Sequence, residues 1–224
     1  MIDSLKNKDH LEGLTGAQEA LALSLFSADV ILFDFEKGFR LKAHETNPNL
    51  LVSPIYIDLR RLQSNLEAKH AAVAALIEQT QGLEFDRIAG IPMSAVAIAS
   101  TMADMTGIPQ ITPRTDKKTY GSGSEIDGTF YNGDVVLVVD DLVTRADSKL
   151  EAIELLERNN LKVKDVAVIF DREQGGAESL QERGYNLHSA LKIKPILQLY
   201  ARLGKITQLE LNRVLNYLEV SLGK

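Results

Sequence analysis

Apolar and polar positions along the chain form blocks that predict strands and helices in alternation. Runs of apolar residues predict buried strands in the middle of the sequence, and apolar residues three or four positions apart predict helices between them. Because a parallel strand is reached through a crossover, usually a helix, this order predicts an α/β fold with a mostly parallel central sheet flanked by helices. The predicted strands are FDRIAGIP, PQITPR, DVVLVVDD, VKDVAVIFDRE and NLHSALKI, and the predicted helices are SAVAIASTMADMTG, DSKLEAIELLERNN and GAESLQERG.

The two ends of the chain also carry helical patterns. Helical spacing of apolar residues predicts one helix over residues 17–29 and another over residues 64–81. Two further helices, roughly 194–203 and 207–222, are predicted at the C-terminal end, and we interpret the leucines of the second as a packing face. Between the first two helices come the predicted strands VILFDF and GFRLKA, the polar loop HETNPNLLVSP and the strand IYIDLR.

The stretch from Thr115 to Gly128 lacks apolar periodicity. It contains adjacent glycines and serines together with charges of both signs. A loop of this length inside a compact domain is more often functional than a plain connection. We therefore expect a solvent-facing, mobile loop that acts as a lid.

Composition narrows the class of protein. The 224 residues are 45% apolar and 25% charged, which is the balance of a water-soluble globular protein. The net charge of −6 disfavours binding to nucleic acid or an anionic membrane, and no apolar run reaches the ~18 residues that span a bilayer. The chain has no cysteine, which excludes disulfides and thiolate chemistry, and its polar first residues lack the apolar core of a signal peptide. We therefore expect a cytoplasmic protein.

Polar residues stand at the ends of three of the predicted strands. Asp140 and Asp141 come directly after five apolar residues, and residues 90–94 and 171–173 occupy the corresponding place after two other strands. The carboxyl ends of parallel strands meet at one edge of the sheet, where ligands of such folds bind. The three clusters are therefore predicted to form one site.

The aspartate pair has two interpretations. In one, an aspartate caps the next helix and its neighbour is solvated. In the other, the adjacent carboxylates accept hydrogen bonds from two vicinal hydroxyls, as on a ribose, or help to hold a divalent cation, while amides at the start of the helix bind a phosphate. The buried strand directly before the pair favours the second interpretation, and this predicts a ribose phosphate as ligand.

The stretch VVLVVDDLVTRADSK resembles the phosphoribosyl diphosphate motif of type I phosphoribosyltransferases. Its neighbours SPIYIDLR, GIP, PR followed by K and YG, VAVIFDREQGG and LHS occur in the order and approximate spacing of the orotate phosphoribosyltransferase family. They are most similar to the phosphoribosyltransferase part of UMP synthase, the form joined to or partnered with the decarboxylase of pyrimidine synthesis. The resemblance covers roughly residues 17–203. It implies a type I phosphoribosyltransferase fold in a single domain over residues 1–224, with a small hood over about 17–60 plus C-terminal elements, a core over about 65–192 and C-terminal helices over about 194–222.

The resemblance also implies a set of site residues, a Mg²⁺ cofactor bound mainly through the diphosphate, and a homodimer whose mobile loops reach across to the neighbouring subunit. The residues that match contacts to phosphoribosyl diphosphate are Gly90, Pro92, Arg114, Lys118, Asp140, Asp141, Thr144 and Ser148. Those that match contacts to orotate are Lys42, Tyr56, Thr144 and Arg172. The catalytic roles fall on Lys118, Tyr120, Asp140 and Asp141.

Three segments depart from the family pattern. In the phosphate turn, Ala146 stands where the family has a glycine that can adopt positive φ, and Asp147 stands where it has a hydroxyl. Two unit charges ~4 Å apart repel by about 1 kcal/mol in water, so Asp147 is expected to weaken phosphate binding unless it only caps a helix that starts at Ser148. Thr115 replaces a lysine of the pyrophosphate-binding pair, and KAHETNPNLLVSP replaces a shorter segment around Lys42.

Two hypotheses for function follow. One is a magnesium-dependent orotate phosphoribosyltransferase, which makes orotidine 5′-monophosphate and pyrophosphate from orotate and phosphoribosyl diphosphate. The other is a catalytically impaired relative that keeps the fold and has a binding or regulatory role. The aspartate pair, Arg114 and the DREQGG segment favour the first hypothesis, whereas Thr115, Ala146 and Asp147 favour the second.

Overall fold

The computed structural model describes residues 14–114 and 124–222. The strands are β1 Ile31–Phe33, β2 Ile55–Ile57, β3 Arg87–Gly90, β4 Gln110–Pro113, β5 Ile126–Asp127, β6 Val135–Val143, β7 Lys162–Asp171 and β8 Asn186–Lys192. The helices are α1 Gly16–Ser27, α2 Ala43–Thr46, α3 Leu66–Gln79, α4 Ser94–Thr106, α5 Asp147–Arg158, α6 Gly176–Gln181, α7 Ile193–Arg202 and α8 Gln208–Leu222, with a 3₁₀ helix over Leu59–Gln63. None of the described helices has the length and apolar character needed to cross a bilayer.

The main sheet confirms the predicted fold class. Within the described residues its strand order is β5-β4-β3-β6-β7-β8, and every neighbouring pair from β4 to β8 is parallel. Only β5 runs antiparallel, against β4. A separate antiparallel pair, β1 and β2, forms a small second sheet.

Both faces of the main sheet are covered because side chains of a strand alternate between them. In β6, Val136 and Val138 pack in the cluster that includes buried residues of α5, whereas Leu137 and Val139 pack in the cluster that includes buried residues of α3 and α4. All four are at most 1% exposed, and burial of a valine or leucine side chain stabilises a fold by roughly 1.5–3 kcal/mol. The unbroken apolar run of β6 is therefore the signature of a strand buried on both faces.

The order of the strands creates a switch point between β3 and β6. From β3 the chain proceeds outward to β4 and β5, then returns to the other side of β3 with β6 and continues outward to β7 and β8. Loops that follow β3 and β6 therefore diverge to opposite sides of the sheet and leave a crevice at the carboxyl ends of these strands. This is where the sequence predicted the site.

The N-terminal part differs from its predicted structure. The segment GFRLKA does not form a strand, and its one β-bridge pairs Phe39 with Ser53. The predicted polar loop that begins at His44 contains most of α2. Helix α2 has four residues, which is too short for an apolar period to be visible in the sequence.

Two boundaries near the site also differ from the predictions. The predicted strand DVVLVVDD ended at Asp141, whereas β6 continues to Val143, paired with β7. Within the predicted Thr115–Gly128 loop, Ile126 and Asp127 form β5 against the end of β4. The rest of that loop from residue 115 to 123, including Lys118 and Tyr120, lies outside the described residues.

Candidate functional site

Two cavities lie beside the turn between β6 and α5, at the carboxyl edge of the main sheet. The larger cavity, of about 770 Å³, is bordered by α2, the turn itself, the end of β7 and α8. The smaller cavity, of about 320 Å³, is bordered by the loop after β3, the end of β4 and the first turns of α5. The larger cavity includes Lys42, Thr144 and Arg172, and the smaller one includes Pro92, Arg114 and Ser148. Lys42 and Arg172 are among the residues that the resemblance assigns to orotate, and Pro92, Arg114 and Ser148 are among those that it assigns to phosphoribosyl diphosphate. Thr144 is assigned to both substrates.

Arg172 gives the larger cavity its chemical character. The residue is only 6% exposed, and its Nε and Nη2 have no hydrogen-bond partner within the described part of the chain. Burial lowers the pKa of Arg172, and the nearby Tyr217 side chain opposes this shift. Buried donors without acceptors are costly, and a guanidinium recovers most from an acceptor that takes two parallel hydrogen bonds. The cavity is therefore suited to a ligand with a carboxylate or a similar planar anion.

Helix α8 forms the wall of the larger cavity opposite α2. Tyr217, Val220 and Ser221 line the cavity. Ser221 Oγ accepts a hydrogen bond of 2.5 Å from Gln174 Nε2, and its carbonyl oxygen accepts one of 3.3 Å from the Arg145 guanidinium. The C-terminal helix therefore holds two loops of the site, a role that its leucine pattern did not indicate.

The smaller cavity contains a second cluster of charges. Arg114 Nη1 lies 3.2 Å from an Asp127 carboxylate oxygen, while Arg114 Nε is buried with no partner among the residues described. At the opposite rim the Arg158 guanidinium donates two hydrogen bonds, of 2.8 and 2.9 Å, to the Glu125 carboxylate. The basic side of this cavity, around Arg114, is available to an anionic ligand.

Gly90 and Pro92 hold the loop after β3 in place. A Cβ on Gly90 would lie 2.7 Å from Ala99 Cβ and 3.0 Å from the Ala95 carbonyl oxygen, so only glycine lets α4 approach the strand this closely. The peptide bond between Pro92 and Met93 is cis, and Pro92 lines the smaller cavity. Gly90 thus acts through packing of the strand against the helix.

The turn between the cavities keeps the shape that a glycine would give it. Ala146 has φ of 68°, in the left-handed region, and is 3% exposed. Its carbonyl oxygen accepts the first backbone hydrogen bonds of α5, from the amides of Lys149 and Leu150. The prediction that Asp147 caps a helix starting at Ser148 is wrong, because α5 starts at Asp147 itself and Ala146 occupies the cap position without a side-chain bond. Asp147 is exposed and lines the larger cavity.

The two aspartates have different surroundings. Asp140 is 5% exposed, with Oδ2 2.5 Å from the Lys149 ammonium and Oδ1 accepting a 2.8 Å hydrogen bond from the Asp141 amide. Burial raises the pKa of Asp140 to about 6, although the Lys149 charge acts in the opposite direction. Asp141 is half-buried, and its Oδ1 accepts a hydrogen bond from the Leu142 amide.

Sequence reasoning missed Lys149. The buried positions of α5 are Lys149, Ala152, Ile153 and Leu156, which have the spacing of one apolar stripe on a helix. A lysine on that stripe must have a partner, since buried ammonium groups are almost always paired. That signal was present in the sequence, but only the fold identifies Asp140 as the partner.

Tyr56 lies on the small second sheet. Its hydroxyl accepts a 2.8 Å hydrogen bond from Arg60 Nη2, and its ring packs at 5.6 Å against Phe39. Hydrogen bonding to Asp58 raises the pKa of Arg60, and the charges of Asp58, Tyr56 and Asp141 add to the shift. Tyr56 is not among the residues that line the two cavities described above.

Comparison with known proteins identifies the family. No protein-family model matches the chain. An orotate phosphoribosyltransferase of Caenorhabditis elegans is 34% identical over 169 residues, which is 73% of this chain and 74% of the relative. The corresponding protein of Thermococcus gammatolerans is 32% identical over 166 residues, or 87% of its length. The chain belongs to the orotate phosphoribosyltransferase family.

Larger members of the family match as well. The uridine 5′-monophosphate synthase of Bos taurus is 34% identical over 207 residues, covering 91% of this chain and 42% of the synthase. The chain thus spans about two fifths of the length of that relative.

Solved structures carry the same fold. The UMP synthase of Leishmania donovani superposes with a TM-score of 0.80 at 31% identity, covering 91% of this chain and 42% of that protein. The orotate phosphoribosyltransferase of Aeropyrum pernix superposes with a TM-score of 0.70 at 28% identity, covering 83% of this chain and 99% of its own. The type I phosphoribosyltransferase fold implied by the sequence is thereby confirmed.

Proposed function

We propose that the chain is an orotate phosphoribosyltransferase, which transfers ribose 5-phosphate from phosphoribosyl diphosphate to orotate and yields orotidine 5′-monophosphate and pyrophosphate. The observation that carries the proposal is Arg172, a buried guanidinium with two unpartnered nitrogens in the larger cavity, beside Thr144. Orotate is a planar pyrimidine with a carboxylate, and a guanidinium binds a carboxylate through two parallel hydrogen bonds.

The reaction replaces one bond at the anomeric carbon with another. A ring nitrogen of orotate forms the new bond as the bond to the pyrophosphate oxygen breaks. Pyrophosphate leaves with the electron pair, and the proton of the ring nitrogen passes to pyrophosphate or to water. Because negative charge builds up on the leaving group, cations and exclusion of water matter more than a strong base. Arg114 in the smaller cavity would supply one such cation, and we assign the same role to Lys118. Tyr120 is the other catalytic residue that the resemblance assigns to that segment.

The remaining roles follow from position. The amides at the start of α5, with the hydroxyls of Thr144 and Ser148, would hold the 5′-phosphate at the positive end of the helix. Lys42 would bind an anionic edge of the ligand from the α2 side of the larger cavity. Tyr56, on the small second sheet, would contact the pyrimidine ring.

Magnesium fits the site as a companion of the diphosphate. No group of three or more acidic or imidazole side chains converges on a metal position within the described ranges. Mg²⁺ in nucleotide sites commonly takes one or two carboxylates and completes its shell with substrate phosphates and water. The half-buried Asp141 is the carboxylate that would face such an ion, and the ion would supply positive charge to the leaving pyrophosphate.

We further propose that the protein works as a homodimer in the cytoplasm. The sequence resemblance supports a dimer in which the segment carrying Lys118 and Tyr120 serves the neighbouring subunit. Neither nucleic acid nor membrane is expected as a partner, since the chain carries a net charge of −6.

The direct test is turnover by the purified chain with orotate, phosphoribosyl diphosphate and Mg²⁺, followed by the loss of orotate absorbance and by identification of the product. Uracil, which has the same ring without the carboxylate, should be a poor acceptor because it leaves Arg172 unpaired. Tight donor binding without turnover would instead support the impaired relative. Equal use of uracil and orotate would contradict the assignment of the larger cavity to a carboxylate.

Arg172→Met sharpens this test. Loss of a charged, bidentate hydrogen bond costs about 1.5–3 kcal/mol, so we expect KM for orotate to rise roughly 10- to 150-fold with little change in KM for phosphoribosyl diphosphate. Arg183→Met is the matched control, since Arg183 is an exposed arginine whose guanidinium lies 3.7 Å from the equally exposed Glu154. If both substitutions change orotate kinetics alike, Arg172 does not bind orotate.

A further inference from the structure

Lys149 is a buried cation that connects the two ends of the phosphate turn. It is 5% exposed, although it is only the third residue of α5. Its ammonium lies 2.5 Å from Asp140 Oδ2 and donates a hydrogen bond of the same length to the Leu142 carbonyl oxygen. Both partners are on β6, so Lys149 links the strand before the turn to the helix after it.

The geometry of a strand explains why Asp140 rather than Asp141 has this partner. Val136 and Val138 face α5, and the alternation of side chains along β6 places Asp140 on the same face. Asp141 is half-buried, and its Oδ1 accepts a hydrogen bond from the Leu142 amide. The two neighbouring carboxylates thus have different surroundings.

The contacts of Asp140 leave it little capacity for a ligand. One carboxylate oxygen bonds the Lys149 ammonium, and the other accepts the Asp141 amide. With 5% of the residue exposed, little of the Asp140 carboxylate is open to a sugar hydroxyl. The Lys149 charge also offsets part of the repulsion between the two adjacent carboxylates, although Asp141 still contributes to the raised pKa of Asp140.

We propose that Lys149 is a positioning residue of this site: it holds Asp140 inside the fold and fixes the phosphate turn, and it leaves Asp141 as the carboxylate of the pair that accepts the ribose hydroxyls. The ion pair itself is independent of the proposed reaction, whereas the assignment of Asp141 to ribose rests on the proposed function. The proposal changes the expectation that both aspartates contact the donor.

The first experiment tests the ion pair without any ligand. Lys149→Met, Asp140→Asn and the double variant are unfolded with urea at neutral pH. In the natural background Lys149→Met should lower the midpoint, because it leaves a buried carboxylate without a partner. In the Asp140→Asn background the same substitution should have less than half of that effect, or raise the midpoint. An equal loss in both backgrounds would overturn the proposal.

The second experiment tests the division of roles, with ribose 5-phosphate and phosphoribosyl diphosphate as probes in calorimetric titrations. Asp141→Asn should lower the affinity for both probes at least tenfold, and it should lower this affinity more than Asp140→Asn does. Lys149→Met should weaken them too, and the additional Asp140→Asn substitution should restore part of the affinity, which a direct ribose contact by Asp140 would not allow. A stronger effect of Asp140→Asn, or no restoration, would overturn the assignment.

Kinetics distinguish positioning from a general loss of structure. Lys149→Met should raise KM for phosphoribosyl diphosphate and leave KM for orotate within about twofold, because the turn holds the donor. An equal rise in both would overturn a specific positioning role. If the natural chain does not bind or turn over the donor, the proposed function and the assignment of Asp141 to ribose both fail, while the urea midpoints still decide whether Lys149 holds Asp140.

Discussion

At the scale of single residues, Asp147 opposes the ligand that the rest of the turn is shaped to bind. Its exposed carboxylate stands at the first position of α5 and lines the larger cavity. A like charge ~4 Å from a phosphate costs about 1 kcal/mol in water, which corresponds to roughly fivefold in affinity. Asp147→Ser should therefore lower the dissociation constant of ribose 5-phosphate about fivefold in a calorimetric titration.

The same substitution should also lower stability. An acid in the first turn of a helix interacts favourably with the helix dipole by about 0.3–1 kcal/mol, so Asp147→Ser should lower the free energy of unfolding by that amount. Glu154→Ser, which removes an exposed charge further along α5, is the control and should not tighten the phosphate. Equal gains in affinity for both variants would show that the effect comes from the net charge of the protein and not from the position of Asp147.

Asp140 makes stability depend on pH in the direction opposite to that of a carboxylate whose pKa is lowered in the folded state. Burial raises the pKa of Asp140 from 3.8 to about 6, so the folded state favours the protonated form. The stabilisation is fully present below about pH 4 and is lost as the pH rises through about 6, a difference of about 3 kcal/mol.

Asp140→Asn removes this titration. The free energy of unfolding of the natural chain minus that of the variant should therefore fall by about 2 kcal/mol between pH 4 and pH 7. Urea unfolding of both proteins across this range measures it. Asp134→Asn offers a comparison, because Asp134 is paired with Arg87 at 3.0 Å away from the site. A difference that stays constant or rises with pH for Asp140→Asn would contradict the raised pKa.

The residues of the turn show what local sequence can and cannot predict. The absence of glycine indicated that positive φ would be lost, yet Ala146 adopts φ of 68° at a cost of roughly 1–2 kcal/mol. Ala146 belongs to a core cluster whose other members include residues far away in the chain, such as Ala89 and Leu180. The partnership of Lys149 with Asp140 is hidden for the same reason, since it depends on which face of β6 meets α5.

At the scale of elements, α8 shapes the larger cavity through a hydrogen bond to the loop after β7. Ser221→Ala removes the acceptor of Gln174 Nε2, which lies two residues after Arg172. One neutral hydrogen bond contributes about 0.5–1.5 kcal/mol, so we expect KM for orotate to rise by roughly two- to tenfold and KM for phosphoribosyl diphosphate to stay unchanged. Ser100→Ala, at an exposed position of α4, is the control. A selective effect on the donor would contradict this role of α8.

The long elements could be predicted, and the short ones could not. Strands β6 and β7 and helix α5 have enough residues for period 2 or period 3.6 to be visible. Helix α2 and strand β5 have four and two residues, and they form because neighbouring segments provide their partners. The contribution of α8 to the larger cavity was missed in the sequence because its apolar stripe indicates only that the helix packs in the core. It does not indicate that Val220 and Ser221 line a cavity.

At the scale of the whole molecule, strand order brings the site together. Polar clusters after three strands predicted a common edge, and the switch between β3 and β6 places two cavities there. Periodicity shows that strands are buried but not which strands are neighbours. The assignment of residues to phosphoribosyl diphosphate or to orotate therefore came from the family resemblance. The structure added that Lys42 and Arg172 line the same cavity.

The proposed dimer can be tested by complementation between two defective variants. Arg172→Met disables the acceptor side of its own subunit, and Lys118→Ala disables the residue that we assign to the neighbour's site. If Lys118 acts across the interface, a heterodimer of the two variants contains one site with both natural residues and one site with neither, so it should recover about half of the natural rate. The two chains are co-expressed with different tags, and heterodimers are purified through both. If Lys118 acts within its own subunit, each site keeps one defect and the heterodimer stays as inactive as the single variants.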